Sequence, residues 1–397
     1  MKSTFDCIVV GKGLIGSAAA KYLQSTLAHV AVVGPDEPVD PDKAMVFASH
    51  YDQGRVQRTI GLDPIWTRLN KQSAIKYDNL AKESGIQFHY PVGCLYVSPY
   101  GKDEYLKRVP EQALQFNVGY QFLESGELIH KAIPDFQFPD QSFAMLEPAP
   151  SGHLNPLRLI EAQLAVFQAK GGTTLKDTVL HIHNDGKMYQ VQLQNDTSIS
   201  APVVLVAAGA FSNFNNILPR YLDLFLKSET VLLAKVSKDE AKRLAHLPSF
   251  LYEIDNGEME GIYAIRPIEY PDGNYYLKIG CNLSADIKFN ELKEIQDWFR
   301  SGNSDRHLEL IRDTLHSIMP SLKTEGYQTK RCIISRTRHK KPYIGRVDGH
   351  NLFVAVGGNG YAAMCSDALG KVAAHMVLHG DTPEDFDSKT FEPLFSN

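Results

Sequence analysis

A glycine-rich loop near the start of the chain constrains its fold more than any other feature. Gly11, Gly13 and Gly16 are spaced as GxGxxG, directly after the apolar run at residues 6–10 and directly before a segment with helical spacing of apolar residues. In this setting the first glycine permits a tight turn, the second lets the backbone approach a pyrophosphate, and the third lets helix and sheet pack closely. The helix N-terminus then offers unpaired N–H groups and a positive dipole end to phosphate. The loop therefore predicts a strand–loop–helix unit that binds a dinucleotide.

Further strand and helix patterns predict how this unit is extended. Residues 30–33 resemble a second buried strand, and residues 203–208 form another apolar run that ends at Gly209. Residues 352–356 lead into a second glycine-rich loop at 357–360 and then into a helix with apolar residues at helical spacing. Strands that alternate with helices in this way are typical of a parallel, doubly wound α/β sheet.

The middle of the chain has a different character. Residues 85–149 and 218–324 are richer in aromatic residues and prolines, and they include alternating runs at 94–97 and 275–279. Such patterns predict antiparallel strands. We therefore predict an α/β protein of two domains, with the second inserted into the first. A Rossmann-like dinucleotide-binding domain comprises residues 1–84, 150–217 and 325–397, and a substrate-binding domain built on a mixed or antiparallel sheet comprises residues 85–149 and 218–324.

Composition and charge exclude several classes of protein. A formal net charge of −5 gives no global electrostatic argument for binding nucleic acid or an anionic membrane. The cysteines show no CxxC spacing, and His181 and His183 lack a third ligand at metal spacing, so we predict neither a disulfide framework nor a metal site. No apolar run is long enough to span a membrane, and the first strand begins too early to leave room for a signal peptide. We expect a cytoplasmic, monomeric enzyme that acts on small molecules.

The choice of dinucleotide depends on two further positions. The acid that usually binds the ribose hydroxyls would follow the second strand, where this chain has Gly34 and Pro35, so Asp36, a backbone group or water is expected to take that role. The GxGxxG pattern alone does not separate NAD from FAD. The second glycine loop favours FAD, because N–H groups at a helix N-terminus suit the flavin pyrimidine edge, which gains negative charge on reduction. A simple helix cap is the alternative for this loop.

Taken in order, these motifs resemble those of the D-amino-acid-oxidase-type FAD oxidoreductases, and within them the monomeric sarcosine oxidase and N-methyltryptophan oxidase branch. The resemblance extends over nearly the whole chain and includes residues 49–58, 203–209, 277–280 and 357–361, together with the GxGxxG start and the Cys332 segment. It implies FAD as the cofactor. The residues that it implies for FAD binding are Gly11, Gly13, Leu14, Ile15, Gly16, Asp36, Ser49, His50, Arg55, Val179, Gly209, Cys332, Gly357, Gly358, Asn359, Gly360, Tyr361 and Met364.

The resemblance also implies roles for three cationic residues. Lys278 matches a family lysine that lies over the flavin, where a cation stabilises the negative charge that develops as O₂ is reduced. Arg55 and Arg58 match two arginines, the first against the flavin ring and the second on the substrate carboxylate, which a guanidinium holds bidentately. Without the resemblance, Lys278 would belong to a solvated strand face and the arginines to a solvated loop.

The substrate cannot be named from the sequence, because matched positions differ from the family pattern. The usual second cation for the carboxylate is a lysine in the C-terminal loop, and this chain has Met364 there. We therefore expect a substrate that is bulkier than sarcosine, less acidic, or not an α-amino acid. Tyr263 lies near the position of an active-site tyrosine, and Asn282 replaces a histidine. The predicted catalytic residues are Lys278, Arg58, Arg55, Tyr263 and Met364.

Cys332 aligns with the cysteine that carries the flavin through an 8α-thioether in this branch. The residues after it differ from the family run, since Ile334 replaces a tyrosine and a Pro-Asp pair is missing. Nearby Arg331 and Arg336 would lower the pKa of the thiol and favour its attack on the flavin. A covalent link through Cys332 and a buried, inert cysteine both stay open.

The predicted reaction is the oxidation of an amine or amino acid by FAD, in which the C–N bond becomes an imine and O₂ is reduced to H₂O₂. Three alternatives stay open. The first is an FAD-dependent dehydrogenase that uses another electron acceptor, which Lys278 argues against. The second is a catalytically silent flavin-binding subunit, and the third is an NAD dehydrogenase, which would purify colourless.

Overall fold

A computed structural model describes residues 3–215 and 217–396 of the chain. In chain order, the strands are β1 Cys7–Val10, β2 Val30–Val33, β3 Arg55–Gln57, β4 His89–Tyr90, β5 Cys94–Ser98, β6 Gln121–Leu123, β7 Phe143–Glu147, β8 Gly152–Leu154, β9 Thr173–Leu175, β10 Val179–Asn184, β11 Tyr189–Leu193, β12 Ser198–Ala201, β13 Val204–Val206, β14 Leu224–Val236, β15 Ser249–Tyr252, β16 Met259–Glu269, β17 Tyr275–Leu283, β18 Lys288–Phe289, β19 Gly326–Thr337, β20 Tyr343–Arg346 and β21 Leu352–Val356. The α-helices are α1 Leu14–Gln24, α2 Pro64–Ser84, α3 Glu104–Phe116, α4 Gly126–Ala132, α5 Pro156–Ala169, α6 Lys238–Arg243, α7 Leu292–Ser301, α8 Leu308–Ile318 and α9 Ala362–His379.

The first glycine loop belongs to a six-stranded sheet with the strand order β20–β21–β13–β1–β2–β9. The pairs from β21 to β9 are parallel, and β20 adds an antiparallel edge. β1 and β2 are short apolar runs that are buried throughout, as expected for strands covered on both faces. Helices α1 and α9 cover one face, and the antiparallel strands β10–β12 pack against the other. The parallel sheet is the one that the sequence predicts, but the doubly wound arrangement is wrong. In the described residues the antiparallel strands β10–β12, and not helices, cover its second face.

A larger sheet follows the order β18–β14–β17–β16–β15–β5–β7–β6, with β19 paired to β14. Its pairs are antiparallel except for β15 with β5. The predicted strands at 94–97 and 275–279 are both in it, as β5 and β17. The sheet also includes β19, which comes from the segment that the sequence assigns to the dinucleotide-binding domain. The mixed α/β fold class is confirmed, and the domain boundaries stay a prediction.

The short strand β3 brings residues 49–58 between the two large sheets. It pairs with β8 in a small antiparallel sheet with β4. Val56, at its centre, packs against Cys94 of β5 and Ile265 of β16. Because neighbouring side chains on a strand point to opposite faces, burial of Val56 in the large sheet directs Arg55 and Gln57 the other way. None of the helices in the described ranges is long and apolar enough to cross a membrane.

Candidate functional site

The predicted cofactor-binding residues gather around one cavity of about 600 Å³. The loops after β1, β2, β13 and β21 line it at the carboxyl ends of the parallel strands, where open α/β sheets bind their ligands. From the large sheet, β15, β16 and β19 contribute Leu251, Tyr263 and Cys332. Of the residues expected to bind FAD, all except Gly16 and Asp36 line this cavity.

The first glycine loop has room for a phosphate. Gly11 has a φ of +105°, a left-handed conformation that favours glycine. A Cβ on Gly16 would lie 1.8 Å from the carbonyl oxygen of Gly11, so only glycine permits this approach of helix and loop. A Cβ on Gly13 would meet nothing closer than the His50 ring at 3.6 Å, since Gly13 lines the cavity. Among the described residues no side chain caps the N-terminus of α1, which leaves its first-turn N–H groups available to an anion.

The second glycine loop is anchored to β19 by Asn359. Its Oδ1 accepts a hydrogen bond from the backbone N–H of Thr337 at 2.9 Å, and its Nδ2 donates to the carbonyl oxygen of Gly357 at 2.6 Å. Its own N–H donates to the carbonyl oxygen of Ser335 at 2.9 Å. A Cβ on Gly357 would lie 2.2 Å from the Thr337 methyl group, so this contact also requires glycine. The loop and β19, which carries Cys332, therefore form adjoining walls of the cavity.

Asp36 lies outside the cavity lining. Its carboxylate pairs with Lys12 and with Lys176, whose Nζ is 2.7 Å from Asp36 Oδ2. Burial alone would raise the pKa of Asp36, but the two lysines lower it. Lys12 and Pro35 do line the cavity. A contact between Asp36 and the ribose stays a prediction, and it would have to compete with these lysine pairs.

A buried ion cluster joins the β3 loop to β17. Lys278 Nζ lies 2.5 Å from Asp52 Oδ2 and donates a hydrogen bond to the carbonyl oxygen of Gly54 at 2.7 Å. Arg55 pairs with the same carboxylate, and the Tyr270 hydroxyl donates to Asp52 Oδ1 at 2.9 Å. Burial alone would raise the pKa of Asp52, but Lys278 and Arg55 hold it well below its usual range. The cluster is therefore a charged unit with Asp52 at its centre.

Lys278 is not among the residues that line the cavity. Its side chain is only 1 % exposed, and its Nζ lies 5.3 Å from the ring centroid of Tyr263, which does line the cavity. Burial and repulsion by Arg55 lower the pKa of Lys278 to about 8, although Asp52 opposes them. The structure thus brings Lys278, Arg55 and Tyr263 together, with the lysine buried beside the other two.

Cys332 lines the cavity opposite a carboxylate. It is the register partner of Glu229 in the β14–β19 ladder, and Glu229 also lines the cavity. The thiol lies 3.5 Å from the carbonyl oxygen of Ser49, to which Arg55 also donates a hydrogen bond at 2.7 Å. Burial raises the pKa of the Cys332 thiol, and Glu229 adds to this effect, whereas Arg55 opposes it.

The expectation that Arg331 and Arg336 lower the pKa of Cys332 is therefore wrong. Arg331 donates a hydrogen bond to the carbonyl oxygen of Gly302 at 3.0 Å, and Arg336 donates to Asn282 Oδ1 at 3.3 Å. Neither contact involves the thiol. Burial and the carboxylate across the ladder outweigh the attraction of the cations that do lie nearby.

Arg58 is a buried cation without a carboxylate partner in the described residues. It is 2 % exposed, and its Nε and Nη1 have no hydrogen-bond acceptor there. Its guanidinium carbon lies 4.8 Å from the ring centroid of Tyr105 and 5.5 Å from that of Tyr96. Arg58 does not itself line the cavity. Leaving charged N–H groups unpaired in the interior is costly, so this geometry favours an anionic ligand that reaches Arg58.

Met364 lines the cavity at the start of α9, with its carbonyl oxygen accepting a hydrogen bond from the Tyr77 hydroxyl at 2.8 Å. An apolar side chain therefore occupies the position where the family resemblance implies a second cation. Within residues 3–215 and 217–396, Lys12 of the first glycine loop is the one lysine that lines the cavity. Asn282 and Arg336, which bond to each other, line it as well.

Three acidic residues of the site were not singled out from the sequence. Asp52 is part of the motif at residues 49–58, and no sequence pattern marks Glu229 or Glu253, although both line the cavity. Glu229 is buried with one carboxylate oxygen unpartnered, and burial raises its pKa to about 7 despite Lys227. The alternation of residues in β14 was the available sequence signal for Glu229, but it does not reveal which face meets the cavity.

No metal centre is apparent from the side chains. The described ranges contain no group of three or more His, Cys, Asp or Glu residues that could hold a metal ion. Glycine-rich loops from two ends of the chain meet at one cavity beside a parallel sheet, which defines the fold and site of an FAD-type flavoprotein. The cavity residues fit such a group, since Gly13 leaves space at the helix N-terminus and the second loop faces the same space.

A protein-family model described as DAO, FAD dependent oxidoreductase, matches residues 6–376. The chain therefore belongs to the DAO family of FAD-dependent oxidoreductases, and the resemblance predicted from its motifs is confirmed. Two curated relatives come from the expected branch. Monomeric sarcosine oxidase of Bacillus sp. (strain B-0618) is 24 % identical over 391 residues, 97 % of this chain and 95 % of that protein. N-methyl-L-tryptophan oxidase of Yersinia pestis (strain Pestoides F) is 27 % identical over 209 residues, 52 % of this chain and 54 % of that protein.

Solved structures share the fold. NikD, described as an unusual amino acid oxidase essential for nikkomycin biosynthesis, superimposes with a TM-score of 0.78 at 14 % identity, covering 100 % of this chain and 99 % of that chain. L-proline dehydrogenase from P. horikoshii gives a TM-score of 0.74 at 17 % identity, covering 99 % of this chain and 97 % of that chain. At sequence identities of 14 % and 17 %, this similarity shows a shared fold and nothing more.

Proposed function

We propose that this chain is an FAD-dependent oxidase of an amine or amino acid, which acts as a monomer on a small-molecule donor and O₂. The observation that carries the proposal is a cavity that joins both glycine loops to Tyr263. Membership of the FAD-dependent family supports the cofactor, and the relative named monomeric sarcosine oxidase supports an amine as the donor.

When bound, FAD supplies the two-electron chemistry that converts the amine to an imine and passes the electron pair, with two protons, to O₂ to give H₂O₂. The part of the protein is to bind and orient the amine. Tyr263 and Tyr361 both line the cavity. No dedicated base is proposed, since an amine that enters unprotonated needs none. The imine then hydrolyses in water.

Arg58 is the proposed anchor for a substrate carboxylate. Its Nε and Nη1 lack a hydrogen-bond acceptor among the described residues, and a carboxylate would supply a charged one. Relatives are expected to have a second cation at the position of Met364. Because methionine carries no charge, Arg58 would be the cation that holds the substrate carboxylate. We therefore propose that simple sarcosine is a poor substrate and that contacts with the rest of the molecule supply additional affinity.

We also propose that FAD is linked covalently through Cys332. The residue lines the cavity, and Arg55, next to it in space, offsets part of the rise in pKa that burial causes. A Cys332→Ser variant would then bind FAD without the link. Acid precipitation separates the two states, because covalent flavin stays in the pellet and non-covalent flavin passes to the supernatant.

A dehydrogenase is the second candidate, and one observation favours it. Lys278, which would promote reduction of O₂, uses its ammonium group to bind Asp52 and Gly54 and does not line the cavity. If the cation has little effect on O₂, the reduced flavin would pass its electrons to another acceptor. L-proline dehydrogenase from P. horikoshii shares the fold, so the fold is compatible with an oxidase and with a dehydrogenase.

Anaerobic reduction followed by exposure to air tests these candidates on the yellow holoenzyme. A panel of primary and secondary amines, with and without a carboxylate, is added without O₂. Bleaching of the visible flavin absorbance, then rapid recovery with H₂O₂ in air, supports the oxidase. Bleaching with slow recovery supports the dehydrogenase. Bound flavin that no amine bleaches supports a silent subunit, and a colourless protein that added FAD does not colour refutes flavin binding.

A further inference from the structure

The substrate side of the cavity carries a carboxylate that the proposed reaction does not use. Glu253 lines the cavity and is half-buried. In the part of the chain that the structure describes, its carboxylate makes no hydrogen bond and no ion pair, and nearby charges act on it only over longer distances. By contrast, Arg55 is paired with Asp52, and Glu229 with Lys227. Glu253 is therefore a carboxylate of the cavity lining that has no hydrogen-bond or ion-pair partner among the described residues.

The strand register fixes where this carboxylate lies. Leu251 of β15 is the partner of Tyr263 in β16, and both line the cavity. Glu253 follows directly after β15, and its N–H continues the pairing with β5 by donating to the carbonyl oxygen of Val97 at 2.9 Å. Side chains two residues apart share a strand face, so Glu253 lies about 7 Å beyond the level of Tyr263 on the same wall.

Gly261 lies opposite Glu253 and has no side chain that could contact its carboxylate. A Cβ at this position would be 3.4 Å from Glu253 Oε2. Gly261 has a φ of +118°, and the β16–β17 register is irregular between Met259 and Ile262.

The charges around Glu253 indicate which chemical group of a ligand it would bind. Burial raises the pKa of Glu253, and Arg58 opposes this effect without lying within ion-pair distance. Arg58 has its own unpaired N–H groups for an anion. A carboxylate that is partly removed from water and lacks a cationic partner is a good acceptor for an ammonium group, which would form a charge-assisted hydrogen bond with it.

We infer that the substrate carries a second, protonated nitrogen, remote from the nitrogen that is oxidised, and that Glu253 binds it. This inference rests on the proposed function. The oxidised nitrogen must be unprotonated to react, so a carboxylate bound to it would stabilise the unreactive form. A second ammonium group has no such conflict. With Arg58 as the anchor for an anion, the substrate class is an amino acid with an additional basic nitrogen.

A matched pair of ligands tests the inference in the holoenzyme. S-(2-aminoethyl)thioglycolate and S-propylthioglycolate differ only in a terminal ammonium against a methyl group. Both have a carboxylate, and sulfur in place of the oxidised nitrogen prevents turnover. Dissociation constants follow from the change in visible flavin absorbance during titration. We expect the aminoethyl ligand to bind at least about 10-fold more tightly, as for a hydrogen bond between charged groups.

Two variants test whether Glu253 causes the preference for the aminoethyl ligand. Glu253→Gln is expected to abolish it, whereas Glu258→Gln, an exposed carboxylate outside the cavity lining, is expected to retain it. Equal affinities in the wild type, absence of a spectral change with either ligand, or a preference that survives in Glu253→Gln would each overturn the inference.

Failure of the proposed function gives a different result. N-propylglycine and N-(2-aminoethyl)glycine are the corresponding amines, and anaerobic bleaching of the flavin reports their oxidation. If N-propylglycine bleaches the flavin and the aminoethyl group gives no advantage, the inference is wrong and the proposed function stands. If no amine bleaches the bound flavin, the proposed function itself is wrong.

Discussion

The Nζ of Lys278 lies 2.5 Å from Oδ2 of Asp52 in an ion pair that is almost completely buried. Both groups lose hydration in the interior, and the pair persists because further hydrogen bonds satisfy it, from Tyr270 to Asp52 and from Lys278 to Gly54. Removing one member of such a pair leaves an uncompensated buried charge. The protonation of Lys278 therefore depends on Asp52.

We expect Asp52→Asn to lower the pKa of Lys278 below its present value of about 8, because burial and Arg55 would then act without the opposing carboxylate. Under the proposed function, the protonated lysine promotes reaction with O₂. The rate constant for flavin reoxidation should then fall as pH rises through the pKa of Lys278. This fall should be centred near pH 8 in the wild type and at lower pH in the variant. Stopped-flow mixing of reduced holoenzyme with O₂ across a pH series measures it.

Two further variants separate charge from structure in this experiment. Lys278→Met should give slow reoxidation at every pH, because no titrating cation is left. Tyr270→Phe removes one hydrogen bond to Asp52 but keeps the ion pair, so its pH profile should stay close to that of the wild type. An unchanged midpoint in Asp52→Asn, or a fall with pH that persists in Lys278→Met, would contradict the prediction.

Two glycines of the first loop should respond differently to alanine. Gly16→Ala should lower the free energy of unfolding by about 1–3 kcal/mol, because its Cβ would overlap the carbonyl group of Gly11. Gly13→Ala should leave stability nearly unchanged and weaken FAD binding, because its Cβ would enter the space beside the helix N-terminus. Denaturant unfolding of the apoprotein measures the first effect, and fluorescence titration with FAD measures the second. Equal losses of stability would refute this distinction.

Much of the fold follows from local patterns in the sequence. The loop around Gly11 and the loop around Asn359 are each recognisable, because a glycine-rich turn between a buried strand and a helix has few other uses. Their meeting at one cavity follows from strand order in a parallel sheet. Cys332 and Tyr263 were found through the family resemblance, and both line that cavity.

The charge environment could not be derived in this way. The pairing of Lys278 with Asp52 joins residues that are distant in sequence and depends on how two sheets pack together. Burial raises the pKa of Cys332, and Glu229 across the β14–β19 ladder adds to this effect through a register that no local pattern determines. The neighbours Arg331 and Arg336 suggested the opposite shift, because sequence proximity does not give side-chain direction.

Glu229 should make the stability of the protein depend on pH. Burial raises its pKa from 4.5 to about 7, so the folded state binds this proton more tightly than the unfolded state. The resulting stabilisation is fully present below about pH 4.5 and is lost as pH rises through 7. Glu229→Gln keeps a neutral group of similar shape. Its free energy of unfolding relative to the wild type should therefore increase between about pH 5 and pH 8, by up to roughly 3 kcal/mol.

Chemical denaturation of both apoproteins at several pH values measures this difference. Glu260→Gln provides the control, since that carboxylate also lines the cavity but is exposed. The free energy of unfolding of Glu260→Gln should change with pH in the same way as that of the wild type. Parallel curves for Glu229→Gln would mean that Glu229 has the same proton affinity in the folded and unfolded states.

Met364 should determine how well the site binds a small amino acid. A lysine at this position would add a cation to the cavity wall in the slot where relatives are expected to hold the carboxylate. A hydrogen bond between charged groups contributes about 1.5–3 kcal/mol, so Met364→Lys should tighten sarcosine binding by about 10- to 100-fold. The Tyr77 hydroxyl bonds to the backbone carbonyl of Met364, and this contact survives the substitution. The concentration dependence of anaerobic flavin bleaching gives the dissociation constant.

Met364→Leu is the matched control, because it changes shape without adding charge and should leave sarcosine binding weak. The gain in Met364→Lys should also require Arg58, since a carboxylate held from both sides depends on both cations. Combining Met364→Lys with Arg58→Met should therefore remove most of the gain. If the wild type already binds sarcosine with low micromolar affinity, or if lysine and leucine at this position give the same affinity, the absence of a second cation does not define the substrate.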